Sequence, residues 1–168
     1  MSEKPSYLGL LNAISVAETD AGCYLDQWAS VTPSDDVRAV IRTIALRETE
    51  HGLAFAKRID ELGYVVQPRV DPKNAERMAI AASTALSDKE KFEALGLGRS
   101  PQNGTSDVFD NFFENKDLDP VTGGLLGRYV AEERDSGRKF AECYALLTAE
   151  PPSKKKAAAK GKSKKKKK

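Results

Sequence analysis

The chain has 168 residues, 40% of them hydrophobic and 31% charged, a balance that suits one soluble, helix-rich domain with a real core. The formal charge of +2 hides an asymmetry: residues 151–168 hold ten of the 27 basic residues and no acid, leaving 17 basic against 25 acidic side chains, or −8, in residues 1–150. Apolar runs of a handful of residues exclude a membrane-spanning helix, and MSEKPSYLGLL has neither a basic n-region nor a long apolar h-region, so a cytoplasmic protein without a secretory signal is expected.

The first predicted helix covers about residues 6–30. Leu11, Ile14, Ala21, Leu25 and Trp28 recur there at steps of three and four, and Glu18 stands inside their stripe. In the following TPSD, Thr32 reads as the cap, Pro33 as the first helical residue and Asp35 as the third member of a capping box. The second helix carries Val37, Val40, Ile41, Ile44, Phe55, Ile59 and Leu62, and Gly63 ends it. Within its stripe, where the spacing calls for apolar residues, stand Glu48 and His51, the only histidine.

Asp71-Pro72 opens a third helix with Ala75, Met78, Ala79, Ala82 and Leu86 on one face. Ser87 and Glu90 form a capping box that breaks it and starts a short helix, DKEKFEALG. GLGRSPQNGTS reads as a loop whose Gly-x-Gly lacks a Walker lysine, and DVFDNFFEN as a short amphipathic helix. Asp119-Pro120 opens the last long helix, through about Thr148, with the stripe Leu126, Tyr129, Val130, Phe140, Tyr144 and Leu147, and Glu133 falls in its middle. No strand pattern emerges. The expected fold is an all-α antiparallel bundle over residues 1–150 with a broken third helix, followed by a disordered lysine-rich tail, 151–168. Cys23 and Cys143 are expected to be two buried thiols, neither a disulfide nor a metal pair.

Glu18 lies 15 residues before Pro33 and Glu48 lies 15 after it. In an antiparallel hairpin, equal distance from the turn means equal height, so both carboxylates meet on the inward faces. His51 is one turn beyond Glu48, the Glu-x-x-His spacing of metal-binding bundles. Aligning RETEHG with EERDSG sets Glu133 under Glu48, Asp135 under Glu50 and Ser136 under His51, and both segments end in a glycine that would let helices approach closely. Burying an unpaired carboxylate costs on the order of several kcal/mol, and neighbouring carboxylates also repel; a cation resolves both problems. The alternative is a hydrogen-bonded Glu48–His51 pair. Glu50, Glu132 and Asp135 read as solvated charge, with Glu132 or Asp135 a further ligand candidate. Tyr129, one turn before Glu133, is a candidate for a catalytic role through electron relay or a hydrogen bond to a ligand, against a core tyrosine.

These residues, Glu18, the Glu48-Thr49-Glu50-His51 tetrad and Glu133 on three long helices, resemble the ferritin-like superfamily, particularly rubrerythrin-type and encapsulated ferritins, over about residues 6–148. The resemblance implies a ferritin-like four-helix bundle binding iron, one or two ions, or manganese. It implies redox activity toward ferrous iron, dioxygen or peroxide, with Glu18, Glu48 and His51 as one half-site and Glu133 in the second. Ser136 occupies the place of the family's second histidine, and the loop SPQNGTS the place of its third carboxylate, with Glu93, Asp110 and Glu114 as substitutes. Three arrangements stay open: a single metal on Glu18, Glu48, His51 and Glu133; half-sites paired between two chains of a homo-oligomer; or a relic site. Related bundles also oxygenate organic substrates. In a separate reading, a non-enzymatic bundle with a degenerate site binds nucleic acid or another polyanion through the lysine tail, which lacks the aromatics for base stacking.

Overall fold

The computed structural model describes residues 4–98 and 109–149. The lysine tail and most of the GLGRSPQNGTS loop lie outside them, with the expectations attached to both. The described residues form five α-helices, α1 Leu8–Val31, α2 Asp35–Glu61, α3 Asn74–Ala82, α4 Asp88–Leu95 and α5 Pro120–Thr148, with a 3-10 turn at Asp110–Phe113, and no strand. The all-α class expected from the sequence is the one observed. Of DVFDNFFEN, the described residues 109–115 form that 3-10 turn and no α-helix.

The turn between α1 and α2 is shifted from the expected one: α2 begins at Asp35, so Pro33 lies before the helix and Asp35 is its first residue and closes no capping box. Ser34, not Thr32, caps α2 by accepting from the Val37 amide. The Thr32 hydroxyl is occupied elsewhere: it donates to Asp88 Oδ2 at 2.7 Å, while Trp28 Nε1 donates to Asp88 Oδ1 at 2.7 Å. A buried carboxylate at the start of α4 thereby ties that helix to the closed end of the hairpin. The Ser87–Glu90 capping box forms as expected, and so does the Asp119-Pro120 start of α5, where Asp119 accepts from the Val121 and Thr122 amides. Gly63 follows α2 at φ 82°, the left-handed conformation that glycine adopts without a Cβ clash.

α3 departs further. It stops at Ala82, and its buried residue is Ala81, with Ala75, Ala79 and Ala82 exposed. Alanines at most positions give a hydrophobic stripe no clear phase. Lys91 helps to settle it: its fully buried ammonium donates to the Ala81 carbonyl at 2.8 Å. The cysteines are unpaired as expected, but only Cys143 is buried and Cys23 is exposed.

α2 pairs with α1 on one side and α5 on the other, α3 packs on α1, α4 on α5, and α3 on α4. The short pair thus bridges α1 and α5. Contacts between α2 and α5 step in opposite directions along the two helices: Arg47 meets Asp135 and Ser136, His51 meets Glu132, and Arg58 meets Asp119 and Thr122. α5 is therefore antiparallel to α2. Two apolar clusters fill the interior. One, near the α1–α2 turn, gathers Leu25, Trp28, Ile41, Ile44, Phe92 and Phe140. The other, at the far end, gathers Leu11, Ile14, Phe55, Ile59, Leu126 and Val130. Between them, at mid-height of α1, α2 and α5, lies a polar layer. No helix among the described residues is long and apolar enough to cross a membrane.

Candidate metal centre

The polar layer is set by how closely α1 and α2 approach. A Cβ on Gly22 would run into the Thr49 hydroxyl and stand 3.1 Å from the Thr49 amide nitrogen; a Cβ on Gly52 would meet Thr19 in the same way. The two contacts are reciprocal because the sequence repeats: Glu18-Thr19-Asp20-Ala21-Gly22 on α1 and Glu48-Thr49-Glu50-His51-Gly52 on α2. Each threonine folds its hydroxyl back onto its own helix, Thr19 to Ser15 O at 2.8 Å and Thr49 to Ala45 O at 2.9 Å, and so leaves a notch for the opposite glycine. Ser15 adds a hydrogen bond to Gly52 O at 3.0 Å. The glutamate preceding each threonine then points between the helices. This Glu-Thr-x-x-Gly repeat is the sequence signal that periodicity alone passed over. Gly137 on α5, by contrast, faces open space, so it does not provide the expected close approach.

The structure brings together the four residues singled out as ligands. Ligand atoms of Glu18, Glu48, His51 and Glu133 lie within 4.8 Å of one another, contributed by α1, α2 and α5. Glu18, Glu48 and His51 are buried and Glu133 is nearly so. His51 Nδ1 faces the carboxylates, 3.4 Å from Glu133 Oε1 and 3.8 Å from Glu48 Oε2. Both Nδ1 and Glu133 Oε1 are buried without a hydrogen-bond partner.

On its other edge, His51 Nε2 is 2.7 Å from Glu132 Oε2. Glu132 is itself held by Arg128 Nε at 3.1 Å. A carboxylate on Nε2 favours the proton there and presents the Nδ1 lone pair to the cluster, the usual support of a ligating imidazole. Glu132 is thus the outer partner of His51 and not an additional ligand. Asp135 is likewise outside, paired with Arg47 at 3.1 Å and Lys139 at 2.6 Å. Ser136, in the place of a second histidine, accepts from Arg47 Nη1 at 2.9 Å. Glu93 accepts from the Tyr144 hydroxyl and Glu114 is exposed, so neither joins the cluster; the Asp110 side chain lies outside what the structure describes.

Tyr129 donates to Glu18 Oε1 at 2.7 Å, and its ring meets His51 edge-on with centroids 5.0 Å apart. Burial, reinforced by the Glu18 charge, raises the phenol pKa far above its ordinary value, so it remains a hydrogen-bond donor. Of the roles expected for it, the hydrogen bond to a candidate ligand is the one the geometry contains.

Without a cation, protons must offset the crowded charge. Burial, then the hydrogen bond and charge of Glu48, push Glu18 up to about 9. Burial and the Glu48 charge also raise Glu133. For Glu48, burial acts upward, but the neighbouring His51 and Glu18 outweigh it and its pKa is lowered. Burial by itself would lower His51; Glu133, Glu48 and Glu132 together outweigh that and hold it at about 10. These directions favour, at neutral pH, a proton on His51 and on Glu18 beside an ionised Glu48. A cation in the cluster would replace those protons.

No family model matches the chain, and no curated protein or solved structure matches it either. The chemistry of the centre carries its own interpretation.

Proposed function

We propose that this cluster is a resident metal centre in a ferritin-like bundle, holding one iron ion, with manganese the alternative, and serving redox chemistry with dioxygen or peroxide. The observation that carries this reading is the pair of buried, unpartnered atoms, His51 Nδ1 and Glu133 Oε1, turned toward the same point. A merely structural Glu48–His51 pair would close a hydrogen bond at Nδ1, whereas Nδ1 stands 3.8 Å from Glu48 Oε2. An imidazole nitrogen and three carboxylates, supported by Glu132 and Tyr129, form a donor set suited to iron or manganese.

The residues also favour one oxidation state. Three carboxylates and a neutral imidazole balance a trivalent cation and leave a divalent one with excess negative charge, so the protein stabilises the oxidised metal. Iron in such a site supplies one-electron exchange with dioxygen or peroxide. The chain's own part is to hold the donors in a layer sealed above and below by apolar clusters. Tyr129 fixes Glu18 and Glu132 fixes the imidazole, so the donor geometry is set before any ion arrives. Four donors suffice for one ion, and the arrangement supports the single-metal form over a paired half-site.

Ferrous iron added anaerobically and then exposed to air should give a ferric absorption band in wild type and none in His51→Ala. A wild-type spectrum identical to that of iron in buffer would overturn the redox reading.

A further inference from the structure

Beside the centre lies a cavity of about 690 Å³, within the roughly 300–1,000 Å³ of small-molecule sites. Glu18, Glu48 and Glu133 line it; His51 does not. The imidazole and its Glu132 support close one side of the centre, and the cavity opens another. The repeat accounts for the space. His51 follows Glu48 by three residues, and the residue that follows Glu18 by three is Ala21. Ala21 lines the cavity with Ala13 and Ala17 from the two preceding turns. Methyl groups thus stand where a second imidazole would fill the volume, and Leu97 and Phe140 extend the apolar lining.

Beyond the metal donors the charged lining groups are Asp20, on the α1 wall, and Arg69, Asp71 and Arg77. Asp71 and Arg77 neutralise each other at 2.5 Å. Arg69 lines the cavity from the extended stretch after α2, is exposed, and forms no ion pair among the described residues. Its backbone is held from both sides. Upstream, Asn12 clasps Gln67 through two hydrogen bonds, Asn12 Nδ2 to Gln67 O at 3.0 Å and Gln67 N to Asn12 Oδ1 at 2.6 Å. Downstream, the Asp71–Arg77 pair anchors the segment to α3. A guanidinium presents a planar donor fork that suits a carboxylate.

We propose that this cavity binds a small organic acid with an apolar body. Its carboxylate meets Arg69, its body lies along the Ala13–Ala17–Ala21 wall, and its far end reaches the open side of the metal centre. The last element rests on the metal reading above; binding in the cavity does not.

The test is calorimetric titration of the full chain with hexanoate, hexan-1-ol and hexylamine, both metal-free and loaded with cobalt(II), whose visible spectrum reports the donor set separately. Hexanoate should bind best in both forms. Arg69→Gln should weaken it by about tenfold or more, the worth of a charge-assisted hydrogen bond, and leave hexan-1-ol unaffected. Ala17→Phe, at an exposed helical position, should abolish binding of all three by filling the cavity, with the cobalt spectrum unchanged in both variants. Preference for the amine or the alcohol, or hexanoate binding indifferent to either substitution, would overturn the proposal. A wild type that takes hexanoate but no cobalt would instead overturn the metal reading alone.

Discussion

His51 is held at one nitrogen and open at the other, and the site depends on keeping the two distinct. Glu132 takes Nε2 and leaves Nδ1 for the cluster. Replacing Glu132 by Gln keeps the shape but removes the charge that fixes the tautomer, so metal affinity should fall about 10- to 100-fold. Tyr129→Phe, which frees Glu18 from its anchor, should cost a similar factor with the fold retained; competition titration against a chelator measures both. Protons and metal share the same seats, which gives a pH signature. The folded chain keeps the Glu18 proton up to about 9, whereas an unfolded glutamate releases it near 4.5. The His51 proton persists to about 10, against 6.5 unfolded. Above each unfolded value the unfolded state binds fewer protons, so both groups make stability fall as pH rises. The lowered pKa of Glu48 works the other way, but only below about 4.5. The melting temperature of metal-free protein should therefore decline from about pH 5 to about pH 9, and bound metal should abolish that decline. A flat or rising profile without metal would show that the cluster is not protonated as described. The four donors were legible in the sequence because charge in an apolar stripe violates the helical pattern. Glu132 was legible only as solvated charge or a spare ligand and not as the partner of His51: it lies beside the stripe, and periodicity does not reveal which of two adjacent glutamates reaches across to the neighbouring helix.

At the level of elements, the hairpin of α1 and α2 sets the spacing of Glu18 and Glu48 through two glycine–threonine contacts. Gly22→Ala and Gly52→Ala each place a methyl against a threonine and its backbone, and each should destabilise the fold by about 1–3 kcal/mol, as overpacking does. Gly127→Ala, in open space on α5, should instead stabilise by about 0.5–1 kcal/mol through helix propensity. Denaturant unfolding compares the three, and equal effects at Gly22 and Gly127 would rule out the close approach. Helix starts whose signals are local, Ser87 with Glu90 and Asp119 with Pro120, could be read from the sequence alone. The start of α2 could not, because Thr32 and Ser34 both fit as caps and the choice is made by Asp88, 56 residues away. The phase of α3 was hidden for a related reason: its alanines fit either face, and Lys91 from α4 decides which one is buried.

For the whole molecule, a polar layer between two apolar clusters divides the interior into an upper and a lower core joined through the centre. A cation that binds the folded chain and not the unfolded one stabilises both halves together by mass action. The bundle class followed from stripes and caps, whereas the cavity did not, since it depends on what is small, Ala13, Ala17 and Ala21, and small residues leave a weak trace in a hydrophobic pattern. The proposed metal chemistry requires that donors from α1, α2 and α5 converge on a single ion. Its most direct test is an anaerobic titration with ferrous iron or manganese(II), with bound metal determined by elemental analysis in wild type, Glu48→Gln and His51→Ala. About one ion per chain is expected in wild type, as four donors allow, with most of it lost in both variants. No bound ion in wild type, or equal binding in all three proteins, would contradict it.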